Sequence, residues 1–165
     1  MKNLTKLILK TGSFFFIAVF IVFSGCQPQK MDDKKLKKFA AQYTAAWCSQ
    51  NAASVASFFA ENGSLKINNG DPSVGREAIT KAAQGFMTAF PDMIVQMDSL
   101  RIMEKNAIYH WTLTGTNSGP GGTGKSVRIS GYEEWTINDE GLIAESKGHF
   151  DEAEYHRQLK SIPDN

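Results

Sequence analysis

Apolar Leu36, Phe39, Ala40, Tyr43 and Trp47 recur at steps of three and four, with lysines on the opposite face. That spacing predicts an amphipathic first helix from Asp33, whose opening aspartates cap it and oppose its dipole. Asn51 suits the N-cap of a second, short helix in which Val55, Phe58 and Phe59 supply the apolar side and Glu61 to Gly63 ends it. Leu65 to Ile67 then starts a brief strand. After a stretch of turn formers reaching Gly75, Ile79, Ala82, Phe86 and Phe90 mark a third helix that Pro91 stops.

Beyond Pro91 the period changes from helical to alternating. Met93, Val95 and Met97 interleave with Ile94, Gln96 and Asp98, and β-branched and aromatic residues fill AIYHWTLTG, VRISGYEEWTI and GLIAESKGHF. Hairpin turns are expected at Glu104 to Asn106, Ser118 to Lys125 and Asn138 to Gly141. Asp151 followed by Glu154 has the form of a capping box and opens a closing helix through Lys160. Helices first and a meandering antiparallel sheet afterwards is an α+β order, which argues against alternating βαβ units.

The chain has 165 residues and a formal net charge of +1, so it makes one domain and no field that would attract nucleic acid. The N-terminus adds an address. Lys2, Lys6 and Lys10 precede the apolar run Phe14 to Phe23, which is shorter than the roughly 20 residues of a spanning helix and suits a secretory signal. FSGC, Phe23 to Cys26, resembles the lipobox of bacterial lipoproteins, where cleavage before the cysteine leaves a thiol that carries diacylglycerol. The alternative is a plain signal peptide with an incidental Cys26. The expected organisation is a lipoprotein signal over 1–25, a lipidated Cys26 with a polar tether over 26–38, and the domain over 39–165. The domain is then anchored to a membrane through Cys26, outside the cytoplasm, in a bacterial cell envelope. A lipidated Cys26 leaves Cys48 without a disulfide partner.

GPGGTGKS, residues 119–126, has the spacing of a phosphate-binding P-loop. That device needs a helix after its Lys-Ser, because the helix N-terminus helps to hold the phosphates. VRISGYEEWTIND follows instead and reads as a strand and hairpin turn, so the stretch is expected to be a glycine-rich hairpin loop. No nucleotide is expected, nor any other cofactor. His110, His149 and His156 lack a metal-ligand spacing, so no metal is expected either.

Four stretches resemble the SnoaL-like, or polyketide cyclase-like, branch of the nuclear transport factor 2 superfamily. They are WCSQNAASVASFFAENG (Trp47 to Gly63), GREAI with FPD (Gly75 to Ile79, Phe90 to Asp92), WTLTGTNSG (Trp111 to Gly119), and EGLIAE with RQL (Glu140 to Glu145, Arg157 to Leu159). The resemblance implies a cone: a strongly curved antiparallel sheet wrapped around three helices, with a pocket for a small, largely apolar molecule at its open end. Members of this branch include cyclases, isomerases, dehydratases and non-catalytic binders, so the fold alone does not assign an activity.

The resemblance also implies an acid/base carboxylate near the end of the last long strand and a histidine in the GT-x-x-G segment. Those positions fall on Gly148 and Asn117, and glycine cannot transfer a proton. His149 with Asp151 are the candidates to replace the missing carboxylate, although adjacent strand residues point to opposite faces and Asp151 is also a helix cap. If Trp111 faces inward, His110 faces outward. For Tyr43, Trp47, Phe86, Trp111 and Tyr132, core packing and pocket lining are both open, and Asn117 and Tyr132 are the polar residues expected to orient a ligand. The first expectation is therefore a ligand-binding domain without the family's acid/base machinery. An enzyme with a relocated base is the second, and a homodimeric interaction module the third.

Overall fold

The computed structural model describes residues 32–103 and 106–160. Helix α1, Asp33–Trp47, is capped by Asp32 and buries Leu36, Ala40, Tyr43, Ala46 and Trp47. It begins inside the segment assigned to the tether, because Leu36 shares the buried face with Ala40 and Tyr43 and is only 3% exposed. Helix α2, Ala52–Ala56, follows the Asn51 cap, whose side chain accepts from the Ser54 amide.

Strand β1, Phe59–Ile67, differs from expectation. The second helix stops at Ala56, and the Glu61 to Gly63 turn formers lie within the strand, at an irregularity in its pairing between Phe59 and Ser64. Gly63 makes that possible: a Cβ there would come within 2.8 Å of the Ile143 carbonyl oxygen. The short β2, Ser73–Val74, pairs with β1 and leads into α3, Gly75–Ala89. Helix α3 buries Ile79, Ala83 and Met87, leaving Ala82 and Phe86 half-buried at the edge of the stripe.

The remaining strands form a meander: β3 Ile94–Met103, β4 Asn106–Thr116, β5 Ser126–Ile137 and β6 Ile143–Phe150, closed by α4, Glu152–Leu159. The six strands form one curved sheet in the order β2-β1-β6-β5-β4-β3. All neighbours are antiparallel except β1 and β6, which run parallel. The parallel pair arises because the chain leaves the helices along β1, and β6 returns beside it in the same direction after the meander. Alternation sets the faces: Tyr109, Trp111 and Leu113 of β4 and Ile129, Glu133 and Trp135 of β5 share the helix-facing side. Each large apolar side chain removed from water there contributes roughly 1.5–3 kcal/mol.

Residues 119–126 behave as a loop and strand start. Asn117 to Lys125 connects β4 to β5, and Ser126 opens a strand where a P-loop would open a helix.

Candidate active site

The helices and the concave face of the sheet enclose a cavity of about 60 Å³. By the measure that a water needs roughly 10–15 Å³, it holds on the order of four to six heavy atoms. Trp47 of α1, Phe86 of α3, Trp111 of β4 and Phe150 of β6 stand in its wall, and Glu133 of β5 is a lining residue among them. Among the described residues no Lys, Arg or His lines it.

Glu133 is 6% exposed. Three donors converge on its Oε2: the Tyr43 hydroxyl at 3.0 Å, the Trp135 indole N–H at 2.8 Å and the Ser146 hydroxyl at 2.6 Å. Among the described residues no donor meets Oε1. Burial pushes the Glu133 carboxyl above the ordinary carboxylate range, against the opposing pull of the bonds from Ser146, Trp135 and Tyr43. Burial likewise raises the Tyr43 phenol well above its ordinary value, with the Glu133 charge adding to the effect. Behind this cluster Tyr109 stacks on Trp135 with centroids 4.8 Å apart and shares a 2.8 Å hydrogen bond with Thr44.

Gly148 is the cross-strand partner of Glu133. A Cβ at Gly148 would lie 3.7 Å from Glu133 Cγ and 3.4 Å from the Lys66 carbonyl, an ordinary contact. The backbone therefore does not demand glycine, and its lack of a side chain leaves the space beside Glu133 open. On the neighbouring ladder Gly131 pairs with Trp111, and the indole lies over it: a Cβ at 131 would come within 2.6 Å of Trp111 Cζ2. The Trp111 Nε1–H is enclosed and has no acceptor among the described residues.

Trp47, Phe86 and Trp111 line the cavity. Tyr43 does not reach the cavity wall; it is fully buried one layer behind and acts through its bond to Glu133. Asn117 is a correction, because the strand ends at Thr116 and the inward phase is lost. Its side chain donates to the Ala89 carbonyl and accepts from the Thr123 amide and hydroxyl, so it braces the loop. Tyr132 is a correction as well: it pairs with His110, is 37% exposed and lies on the outer face. His149 stacks on Tyr132 there at 4.7 Å. Its Nε2 is 3.5 Å from a Glu134 carboxylate oxygen, within ion-pair reach but without hydrogen-bond geometry. Asp151 caps α4 by accepting from the Glu154 amide at 2.8 Å. His149 and Asp151 border a shallow polar depression outside the cone, so they cannot replace a base within it. His110 also faces outward, with Nδ1 3.1 Å from the Ser99 hydroxyl. Cys26 lies outside the described residues.

Glu133 was missed in the sequence, although a signal existed. Val127, Ile129, Gly131, Trp135 and Ile137 share its phase, so alternation alone puts a carboxylate on the apolar face.

Residues 37–159 match the SnoaL-like polyketide cyclase family. No curated protein matches the chain. Solved structures share the fold. TsrD from Streptomyces laurentii is 20% identical with a TM-score of 0.70, over 81% of this chain and 100% of that one. SalBIII, an epoxide hydrolase/cyclase-like enzyme with a role in pyran ring formation in the polyether salinomycin, is 20% identical with a TM-score of 0.65, over 74% and 95%. A phenazine biosynthesis-related protein from Pseudomonas aeruginosa is 14% identical with a TM-score of 0.63, over 80% and 92%. At these identities the likeness carries the nuclear transport factor 2-like fold and no more.

Proposed function

The chain belongs to the SnoaL-like polyketide cyclase family, and within it we propose that the cavity binds a small, neutral, largely apolar molecule with which Glu133 exchanges a proton. The observation that carries this reading is the placement of Glu133 across the ladder from Gly148, buried and at the cavity wall. The carboxylate that the family likeness puts at Gly148 is thereby supplied from the adjacent strand, and the catalytic reading is favoured over a binder without a base.

The arrangement fits proton transfer for a physical reason. Oε2 is occupied by three donors, so a proton arriving at the carboxyl is left to Oε1. Burial raises the carboxyl's affinity for a proton, which makes its anion a stronger base than an exposed carboxylate. Glu133 takes a proton from a carbon beside a carbonyl, the electron pair stays on the ligand as an enolate, and the proton returns at the same or another position. Hydrogen–deuterium exchange at the α-carbons of cyclopentanone in heavy water tests this. Acceleration by the wild-type protein that Glu133→Gln abolishes is expected; equal rates for the two proteins would overturn the reading.

The N-terminal features support an exported domain held at a membrane through lipidated Cys26. Cys26→Ser followed by membrane fractionation is expected to release the protein; retention of the variant through an uncut N-terminus would sink the lipid anchor.

A further inference from the structure

Among the residues that line the largely apolar cavity, Tyr109, Trp111 and Glu133 carry polar groups; the Tyr109 hydroxyl is paired with Thr44, and proton transfer uses only Glu133. Trp111 lines the same cavity as Glu133, yet its Nε1–H is enclosed without an acceptor. Trp111 pairs with Gly131 and Tyr109 pairs with Glu133, so Trp111 and Glu133 are diagonal neighbours on the inner face. Such diagonals stand roughly 7–8 Å apart at the backbone, a span that one small molecule bridges with a hydrogen bond at each end. Gly131 fixes the indole, because any side chain there would collide with its six-membered ring and with the His149 carbonyl oxygen.

We propose that Trp111 is the specificity-determining donor of the cavity: its indole N–H selects neutral ligands that carry an oxygen acceptor, and seats a carbonyl oxygen so that the adjoining carbon faces Glu133. A buried donor left unpaired is unfavourable, and an arriving acceptor removes that penalty, so a ligand with the oxygen is favoured over one of the same shape without it. Indole can donate but not accept, so a ligand group that offers only donor hydrogens gains nothing from it. Anionic ligands are disfavoured, since Glu133 is buried and among the described residues no cationic side chain lines the wall. The same N–H lies where negative charge gathers on the oxygen when the α-proton leaves, so the contact strengthens during transfer.

This inference rests on the cavity being the ligand site, and the test separates the two. The full-length protein, labelled on methyl groups and on nitrogen, is titrated with cyclopentanone and with methylenecyclopentane, the same ring with CH₂ in place of oxygen. Both compounds should move the methyl resonances of Leu65, Leu113 and Ile129, and only the ketone should shift the Trp111 side-chain N–H resonance downfield. In Trp111→Phe the preference for ketone over alkene should shrink by at least roughly tenfold, the worth of one buried hydrogen bond. Comparing the preference between proteins under identical conditions cancels partition into detergent. If the ketone moves the methyls but leaves the indole resonance in place, or Trp111→Phe keeps the preference, Trp111 is not the selector and the cavity reading stands. If neither compound moves the methyls, the cavity reading fails and the inference with it. The indole readout needs only the wild-type protein.

Discussion

Glu133 and Gly148 face one another across the β5–β6 ladder, both residues lining the cavity and the glycine leaving the space beside Glu133 open. A Cβ at 148 makes only ordinary contacts, so Gly148→Ala should fold with little loss of stability. Gly148→Phe should instead fill the space beside Glu133 and reduce cyclopentanone binding by more than about tenfold, as a displaced ligand loses its buried contacts. Binding isotherms for both variants check this, and full binding by Gly148→Phe would show that the ligand does not occupy that space.

The raised carboxyl makes stability depend on pH. Unfolding returns Glu133 toward the ordinary value of 4.5, whereas the folded state holds the proton to higher pH. Between those values the folded state binds the extra proton, so this contribution is fully present below the unfolded pKa and is lost as pH rises through the folded one. Glu133→Gln lacks it. Thermal melts from about pH 4 to about pH 8 should show the melting temperature of the variant gaining on the wild type as pH rises. A constant difference would contradict a raised carboxyl.

Tyr43 acts on the site from behind. Its bond lowers the carboxyl pKa, partly offsetting burial, so Tyr43→Phe should move the midpoint of the pH profile for proton exchange upward. Loss of a bond to a buried charged group should also cost about 1.5–3 kcal/mol in denaturant unfolding. A variant with lower stability but an unmoved midpoint would leave Tyr43 a packing residue only.

Much of the frame was legible because its signals are local. Asn51 before α2 and Asp151 with Glu154 at α4 need only their own neighbours, and alternation alone puts Trp111 and His110 on opposite faces of β4. The site was less legible because it is assembled over distance. Tyr43 reaches Glu133 across 90 positions, and nothing near either residue announces the other. Glu133 stands beside Glu134 and so resembles a solvated acidic pair, although the strand sends the two to opposite faces. Tyr132 was assigned inward because the register pairing it with outward His110 is a tertiary fact. The length of β1 was hidden by Gly63, whose close approach to Ile143 looks in sequence like a turn.

Asn117 separates a structural role from a functional one. Asn117→Ala removes its bonds to Ala89 and Thr123 and should cost about 1–3 kcal/mol of stability. Proton exchange measured well below the melting temperature should be unchanged. A selective loss of exchange with stability intact would return Asn117 to the site.

The most direct measurement is a carbon NMR titration of the Glu133 side-chain carboxyl in the full-length protein, with and without cyclopentanone. A titration raised above the ordinary carboxylate range and a carboxyl resonance that moves when the ketone binds are expected. A carboxyl that titrates in the ordinary range and ignores the ketone would contradict a proton-exchanging Glu133.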